Sequence, residues 1–279
     1  MKKKQLSNLT PLSNVRHSDD FNLSIASLPV TAKRVLFLIL AQISDPREKV
    51  EEEVISFDVT ARQYADICDV DIKTAYKALP HAVDTLLSSH IYEDLSEEGF
   101  KRAFKTNITS GAKYFFDEGY CTVFFNQKVI PYFFELSKKF TTMNLFHVAR
   151  LSDVNMTNFY QMIMKRYSKS GTVREYNTSF TIGVDELKDE MWLFKLDKKD
   201  NKQYLYQNYK DLGQLLKKLA RGLSEKTNIK DITITIESRK ARKASVLRIS
   251  YSVIKESATN SLPTDEELDA IEKQLGLLQ

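Results

Sequence analysis

The sequence predicts an α+β protein built from two similar units in tandem, and two observations carry that reading. Between residues 57 and 95 a strand end, a short helix, a tight turn and a second helix follow one another, and between residues 179 and 254 the same order of parts returns. The second set is closed by two alternating strands joined through a strongly cationic tip. A chain of 279 residues with 42% hydrophobic and 11% aromatic content has room for two cores of ordinary domain size.

Taken in chain order, residues 1 to about 17 are polar and expected to be a mobile segment, with Lys2-Lys3-Lys4 at its start. Ala32 to Ile43 reads as a helix whose start is marked by Pro29 and Thr31. A charged loop, Asp45 to Glu53, leads to an alternating strand, Ile55 to Val59. Thr60 then stands as a hydroxyl N-cap for Ala61 to Cys68, and Asp71 caps a second helix beginning at Ile72. In that helix Ala75, Leu79, Ala82, Val83, Leu86 and Leu87 recur at helical spacing, while Lys73, Thr74 and Lys77 fall on another side near its start. Pro80 cannot donate to the Tyr76 carbonyl, so a kink or break is expected there. Residues 100 to 126 read as a hairpin, with Lys101, Arg102 and Lys105 before it and Tyr120 to Phe125 as its return strand. A helix opening at Ile130 and a helical segment around Asn158 to Met164 couple the units, with the boundary near residue 140. The Phe and Met residues there are core material at helical spacing.

The second unit begins with a strand at Phe180-Thr181-Ile182 and a short helix, Val184 to Met191. A polar loop, Asp197 to Lys202, delivers the most amphipathic helix of the chain, Tyr209 to Ser224. Leu212, Leu215, Leu216, Leu219 and Leu223 make its apolar stripe, and Lys210, Gln214, Lys217, Lys218 and Arg221 its opposite face. Strands from Ile232 to Glu237 and from Val246 to Val253 follow, joined by Ser238 to Ser245, in which Arg239, Lys240, Arg242 and Lys243 are cationic. A helix-turn-helix closed by such a hairpin is a winged helix. The expected organisation is therefore a mobile segment at 1–17, a first winged-helix domain at 18–140, a second at 141–255 and a flexible acidic tail at 256–279.

A lysine-rich helix face alone is usually a solvated face. Four cations packed at one tip, however, repel each other without a polyanion, and the formal net charge of the whole chain is only +4. Local basic patches on a nearly neutral body favour a specific double-stranded DNA site over indiscriminate coating. Gln214, Lys217, Lys218 and Arg221, with Lys210 beside them, are expected at base edges and flanking phosphates of one major groove. Arg239, Lys240, Arg242 and Lys243 are expected along the backbone, and Lys73, Thr74 and Lys77 in a second groove segment about one helical turn away.

Other classes find little support. Only eight glycines are present, and no glycine-rich lysine loop for nucleotide phosphates is among them. His17, His81, His90 and His147 are scattered, and Cys68 and Cys121 lie far apart, so neither a metal site nor a disulfide framework is expected. The longest apolar run, Val35 to Ile43, is broken by Gln42 and too short to span a bilayer. The expectation is a non-enzymatic cytoplasmic protein with no cofactor and no membrane contact.

Across residues 15 to 255 an ordered set of short motifs carries a family resemblance. Val15-Arg16-His17, Leu28 to Leu36, Thr74 to Leu79, Val129 to Tyr132, Lys139 to Thr142, Asn158-Phe159-Tyr160, Ser179 to Leu187, Lys226-Thr227 and Ala241-Arg242-Lys243 together resemble the iteron-binding replication initiators of theta-replicating plasmids. The resemblance implies two winged-helix domains that bind directly repeated origin sites, help open the neighbouring duplex and recruit the host initiator, helicase and primase. It also implies a monomer and dimer balance, with the dimer repressing its own gene. The C-terminal domain would supply the main base contacts, and the N-terminal domain would touch the other end of the repeat or mediate dimerisation. Ala241 departs from the family pattern, which places Gly before the wing Arg-Lys. A winged-helix transcription regulator with no replication role needs the same grip on DNA and is the alternative reading.

Overall fold

Local capping sets the first helical pair. The computed structural model describes residues 9 to 254, apart from residues 11, 47–53, 95–102, 135, 137–139, 168–177 and 198–200. Strand β1 spans Asn14–Ser18, helix α1 Phe21–Ala26 and helix α2 Val30–Leu40. Strand β2 (Ser56–Thr60) runs into α3 (Ala61–Cys68), where Thr60 accepts from the Gln63 amide and the Gln63 side chain reaches back to the Thr60 amide. Two of the orphan donors at that helix start are thereby satisfied. Asp69, at φ 54°, closes α3 in the left-handed conformation. Asp71 then accepts from the Lys73 and Thr74 amides to start α4 (Ile72–Leu87).

Pro80 does not break α4, which stays helical over 16 residues. The carbonyl four residues earlier belongs to Tyr76, which is 51% exposed, so water can replace the lost donor. Ala75, Leu79, Ala82, Val83 and Leu86 hold the helix to the core.

After α4 come strands β3 (His90–Asp94), β4 (Ala103–Asn107), β5 (Thr109–Phe115) and β6 (Tyr120–Phe125). The hairpin expected over 100–126 is two structures: β4 pairs with β3, and only β5 and β6 pair as a wing. Lys105 thus sits on a separate hairpin, and Lys101 and Arg102 lie outside the described residues. The first sheet runs β2-β6-β5. The segment opening at Ile130 is a 3-10 turn over Gln127–Tyr132 rather than an α-helix, consistent with Pro131 inside it.

Residues 14 to 17, expected to be mobile, are instead part of β1, which pairs antiparallel with β7 (Phe140–Asn144), from Asn14 opposite Asn144 to Ser18 opposite Phe140. Val15 and His17 point inward and are fully buried. Helix α5 (Leu145–Arg150) packs on α2 and α3, where Arg34 donates to the Ala149 and Leu151 carbonyls and Arg150 to that of Ile67. These contacts tie α5 to the helices of the first unit.

Helix α6 (Val154–Tyr167) follows, and after it β8 (Ser179–Gly183) and α7 (Val184–Glu190) begin the strands and helices of the second unit. A small hairpin, β9 (Phe194–Leu196) with β10 (Lys202–Tyr204), occupies part of the stretch expected as a polar loop. Then come α8 (Tyr209–Lys226), β11 (Ile229–Lys240) and β12 (Lys243–Val253). The sheet order β11-β12-β8 repeats that of the first unit, with the last strand between the first strand and its hairpin partner. Both units are thus winged helices.

Candidate nucleic-acid interface

Amphipathicity aims α8. Leu212, Leu216, Leu219 and Leu223 are buried, which leaves Lys210, Gln214, Lys217, Lys218 and Arg221 exposed on one face. Asn208 caps the helix by accepting from the Asp211 amide at 2.9 Å. Arg221 shares its charge with Glu225 at 3.0 Å on the next turn, while the helix start carries Lys210 with Asp211 close by.

The wing is a long twisted hairpin ending in a two-residue turn. Lys240 pairs with Lys243, so Ala241 and Arg242 are the turn residues, with φ values of 48° and 66°. Both adopt the left-handed conformation that a tight hairpin of this twist requires. Ala241 therefore takes the backbone conformation for which glycine would be the easier residue. Arg239, Lys240, Arg242 and Lys243 are all exposed. Lower on the wing, Arg248 and Glu237 form a two-point ion pair at 2.8 Å, and this pairing holds the Glu237 carboxyl below its ordinary range.

Between the wing tip and the start of α8 lies an open groove of about 920 Å³. Asn208, Tyr209 and Leu212 of the α8 start, Arg239 to Ser245 of the wing, and Val184, Asp185 and Lys188 of α7 line it. The structure brings the wing cations and the start of α8 to one groove, whereas residues farther along α8 extend away from it. Lys188, Tyr206 and Gln207 are groove residues that sequence reasoning missed. Asn208 was legible as an N-cap, being the Asn immediately before the apolar periodicity begins.

In the first unit Lys73, Thr74 and Lys77 are exposed at the start of α4, as the spacing predicts, with Tyr76 and Ile72 exposed beside them. The two wings differ in chemistry. The β5–β6 tip carries Phe116, Asp117 and Glu118, and Phe116 is 70% exposed. An acidic aromatic tip does not suit a phosphate backbone, whereas the start of α4 exposes Lys73 and Lys77. Gly119 closes that turn at φ 69°, and its carbonyl accepts from the Ala61 amide at the start of α3.

Two tandem winged helices, each exposing cations at the start of its second helix, define a DNA-binding protein class. Residues 14–164 match the family described as Initiator Replication protein, WH1, and the chain belongs to that family. It is similar to the PI protein of Escherichia coli, with 28% identity over 271 residues, covering 91% of this chain and 87% of that protein. It is also similar to the crystal structure of the Pi initiator protein in complex with iteron DNA, at a TM-score of 0.77 and 28% identity, covering 89% of this chain and all of that one. Among the described residues, no helix is long and apolar enough to cross a membrane.

Proposed function

We propose that this chain is a plasmid replication initiator that binds directly repeated origin sites, both winged helices gripping one repeat. The observation that carries the reading is the likeness to the Pi initiator over the whole length of the chain seen on iteron DNA, together with an exposed cationic helix start in each unit. In this reading Lys210, Gln214, Lys217, Lys218 and Arg221 address one major groove, and Arg239, Lys240, Arg242 and Lys243 hold its phosphates. Lys73, Thr74 and Lys77 address a second groove segment. The second unit makes the principal base contacts, with five polar or cationic residues exposed along α8 against three at the start of α4. Opening of the duplex then draws on binding energy and bending, with ATP-driven steps left to the host initiator, helicase and primase. Dimers bind an inverted repeat at the promoter of the chain's own gene, and the protein works in the cytoplasm, where plasmid DNA resides.

The test is to select a site from a random duplex library and then ask whether tandem copies of it serve as a plasmid's only origin when the chain is supplied. Replication that depends on the chain supports the reading. Tight site-specific binding without replication returns the protein to the class of transcription regulators. Lys217→Ala is expected to relax discrimination between sites by about 1 to 3 kcal/mol. Arg242→Ala is expected to weaken binding to all sequences alike.

A further inference from the structure

One carboxamide joins the two units. Asn158 of α6 is buried, and its Nδ2 donates at 3.0 Å to the Ala26 carbonyl at the end of α1 and at 3.0 Å to the Met191 carbonyl just after α7. One acceptor belongs to the first unit and the other to the second. Its Oδ1 accepts from the Nζ of Lys33, a fully buried residue of α2. Two carbonyl acceptors require the amide nitrogen and an ammonium donor requires the oxygen, so the orientation of the group is dictated by its neighbours.

The connection continues outward. Lys33 also reaches Gln161 Oε1 at 3.4 Å, Gln161 donates to Asn22 at 3.1 Å, and Asn22 donates at 2.8 Å to Thr141, which donates to Asp19 at 2.8 Å. Helices α1, α2, α6 and α7 and strand β7 are thereby tied through polar groups whose geometry is directional. Apolar packing tolerates sliding far better than such a chain, in which each buried donor or acceptor left unmatched carries a desolvation penalty.

From this geometry we infer that Asn158, oriented by Lys33, is a positioning residue that fixes the angle between the two DNA-binding units. The inference rests on the reading that both units grip one site. Both residues are buried, and neither lines the groove between the wing tip and α8. Their contribution is preorganisation: with the angle fixed, docking of one unit delivers the other already aligned to its groove segment, and loosening the joint lowers the effective concentration of the second unit. Asn158→Asp is nearly isosteric but presents a carboxylate oxygen to the Ala26 and Met191 carbonyls where a donor is needed. Lys33→Met keeps both donations from Asn158 and removes the ammonium that its Oδ1 and the Gln161 Oε1 accept from.

The experiment measures affinity of the full chain for three duplexes: the library-selected site, and the same site with either half scrambled. Ser88→Cys in the first unit and Thr235→Cys in the second, both exposed, carry spin labels for distance measurement, since Cys68 and Cys121 are buried. Asn158→Asp is expected to bind the whole site about tenfold or more weakly, while each half-scrambled duplex changes by less than about twofold. The distance distribution between the labels broadens. Lys33→Met moves both readouts the same way by a smaller factor, and decides the matter if Asn158→Asp fails to fold. Unchanged whole-site affinity, or an equal loss on all three duplexes, overturns the positioning role. If the unaltered chain binds the whole site no better than a half-scrambled one, the two-unit grip itself is wrong, an outcome separate from the other two.

Discussion

Lys33 is the residue whose chemistry departs most from its type. It is fully buried, and burial lowers its pKa from 10.5 to about 7. Asn158 and Gln161 offer it amide oxygens rather than a carboxylate. The titratable groups nearest this joint are His17 on β1, Asp19 before α1, Lys165 on α6 and Glu190 on α7, the last two paired at 3.4 Å. The unfolded chain binds a proton at Lys33 below pH 10.5 and the folded chain only below about pH 7, so folding releases a proton in between. This residue's contribution to stability therefore falls as pH drops toward 7 and is flat below. Burial raises the Cys68 and Cys121 thiols to about 12 and about 11, which opposes the trend only above their ordinary value of 9.0. Urea titrations at pH 7 and pH 9 are expected to show stability rising with pH in the unaltered chain relative to Lys33→Met; parallel curves would refute the assignment. His17 acts at the acid end. Its pKa is lowered to about 4 by burial, with the Lys33 charge adding to the effect and the hydrogen bond to the Ser18 carbonyl opposing it. Its share of the folding energy is accordingly lost between pH 6.5 and about 4.

At the level of elements, the parts legible in the sequence were those defined by near neighbours. Thr60 with Gln63, Asp71 with the Lys73 and Thr74 amides, and the leucine stripe of α8 are all interactions within a few residues. Strand β1 escaped detection because its partner is β7, about 130 residues away, and a short polar strand has no local signature. The β9–β10 hairpin was hidden for another reason: three-residue strands are too short for alternation to be recognised. Pro80 does not end α4, since tertiary burial of Ala75, Leu79 and Val83 holds the helix together across it. The turn between β5 and β6 gives a sharp test of how a wing positions a helix. A Cβ added at Gly119 would lie 2.6 Å from the Tyr76 hydroxyl, at a φ of 69° that also disfavours a side chain. Gly119→Ala is expected to cost on the order of 1 to 2 kcal/mol of stability, read by denaturant unfolding. It should also displace the Tyr76 ring beside Lys73 and Lys77, and a melting curve identical to the parent would contradict this packing.

For the whole molecule, charge distribution matters more than net charge. The formal +4 conceals a second unit with four cations at its wing tip and a first unit whose wing tip is acidic. Affinity for the selected site is expected to fall steeply with salt, because each phosphate neutralised releases condensed counterions. The slope of log K against log salt should shrink by about 1 unit in Arg242→Ala, as for one lost phosphate contact. It should be unchanged in Asp117→Asn, at the acidic tip. A slope indifferent to Arg242 would remove the second wing from the backbone, and a slope responding to Asp117 would bring the first wing to it.

Capping, periodicity and the clustering of Lys and Arg are local, and they were enough to fix the repeated winged-helix plan, the two cationic helix starts and the basic wing. Tertiary structure alone decided that β1 joins β7, that the wing tip and the start of α8 share one groove, and that Asn158 and Lys33 meet between the units. Each of those depends on residues far apart in the chain, whose approach is set by packing of the whole core and leaves no periodic mark on the sequence.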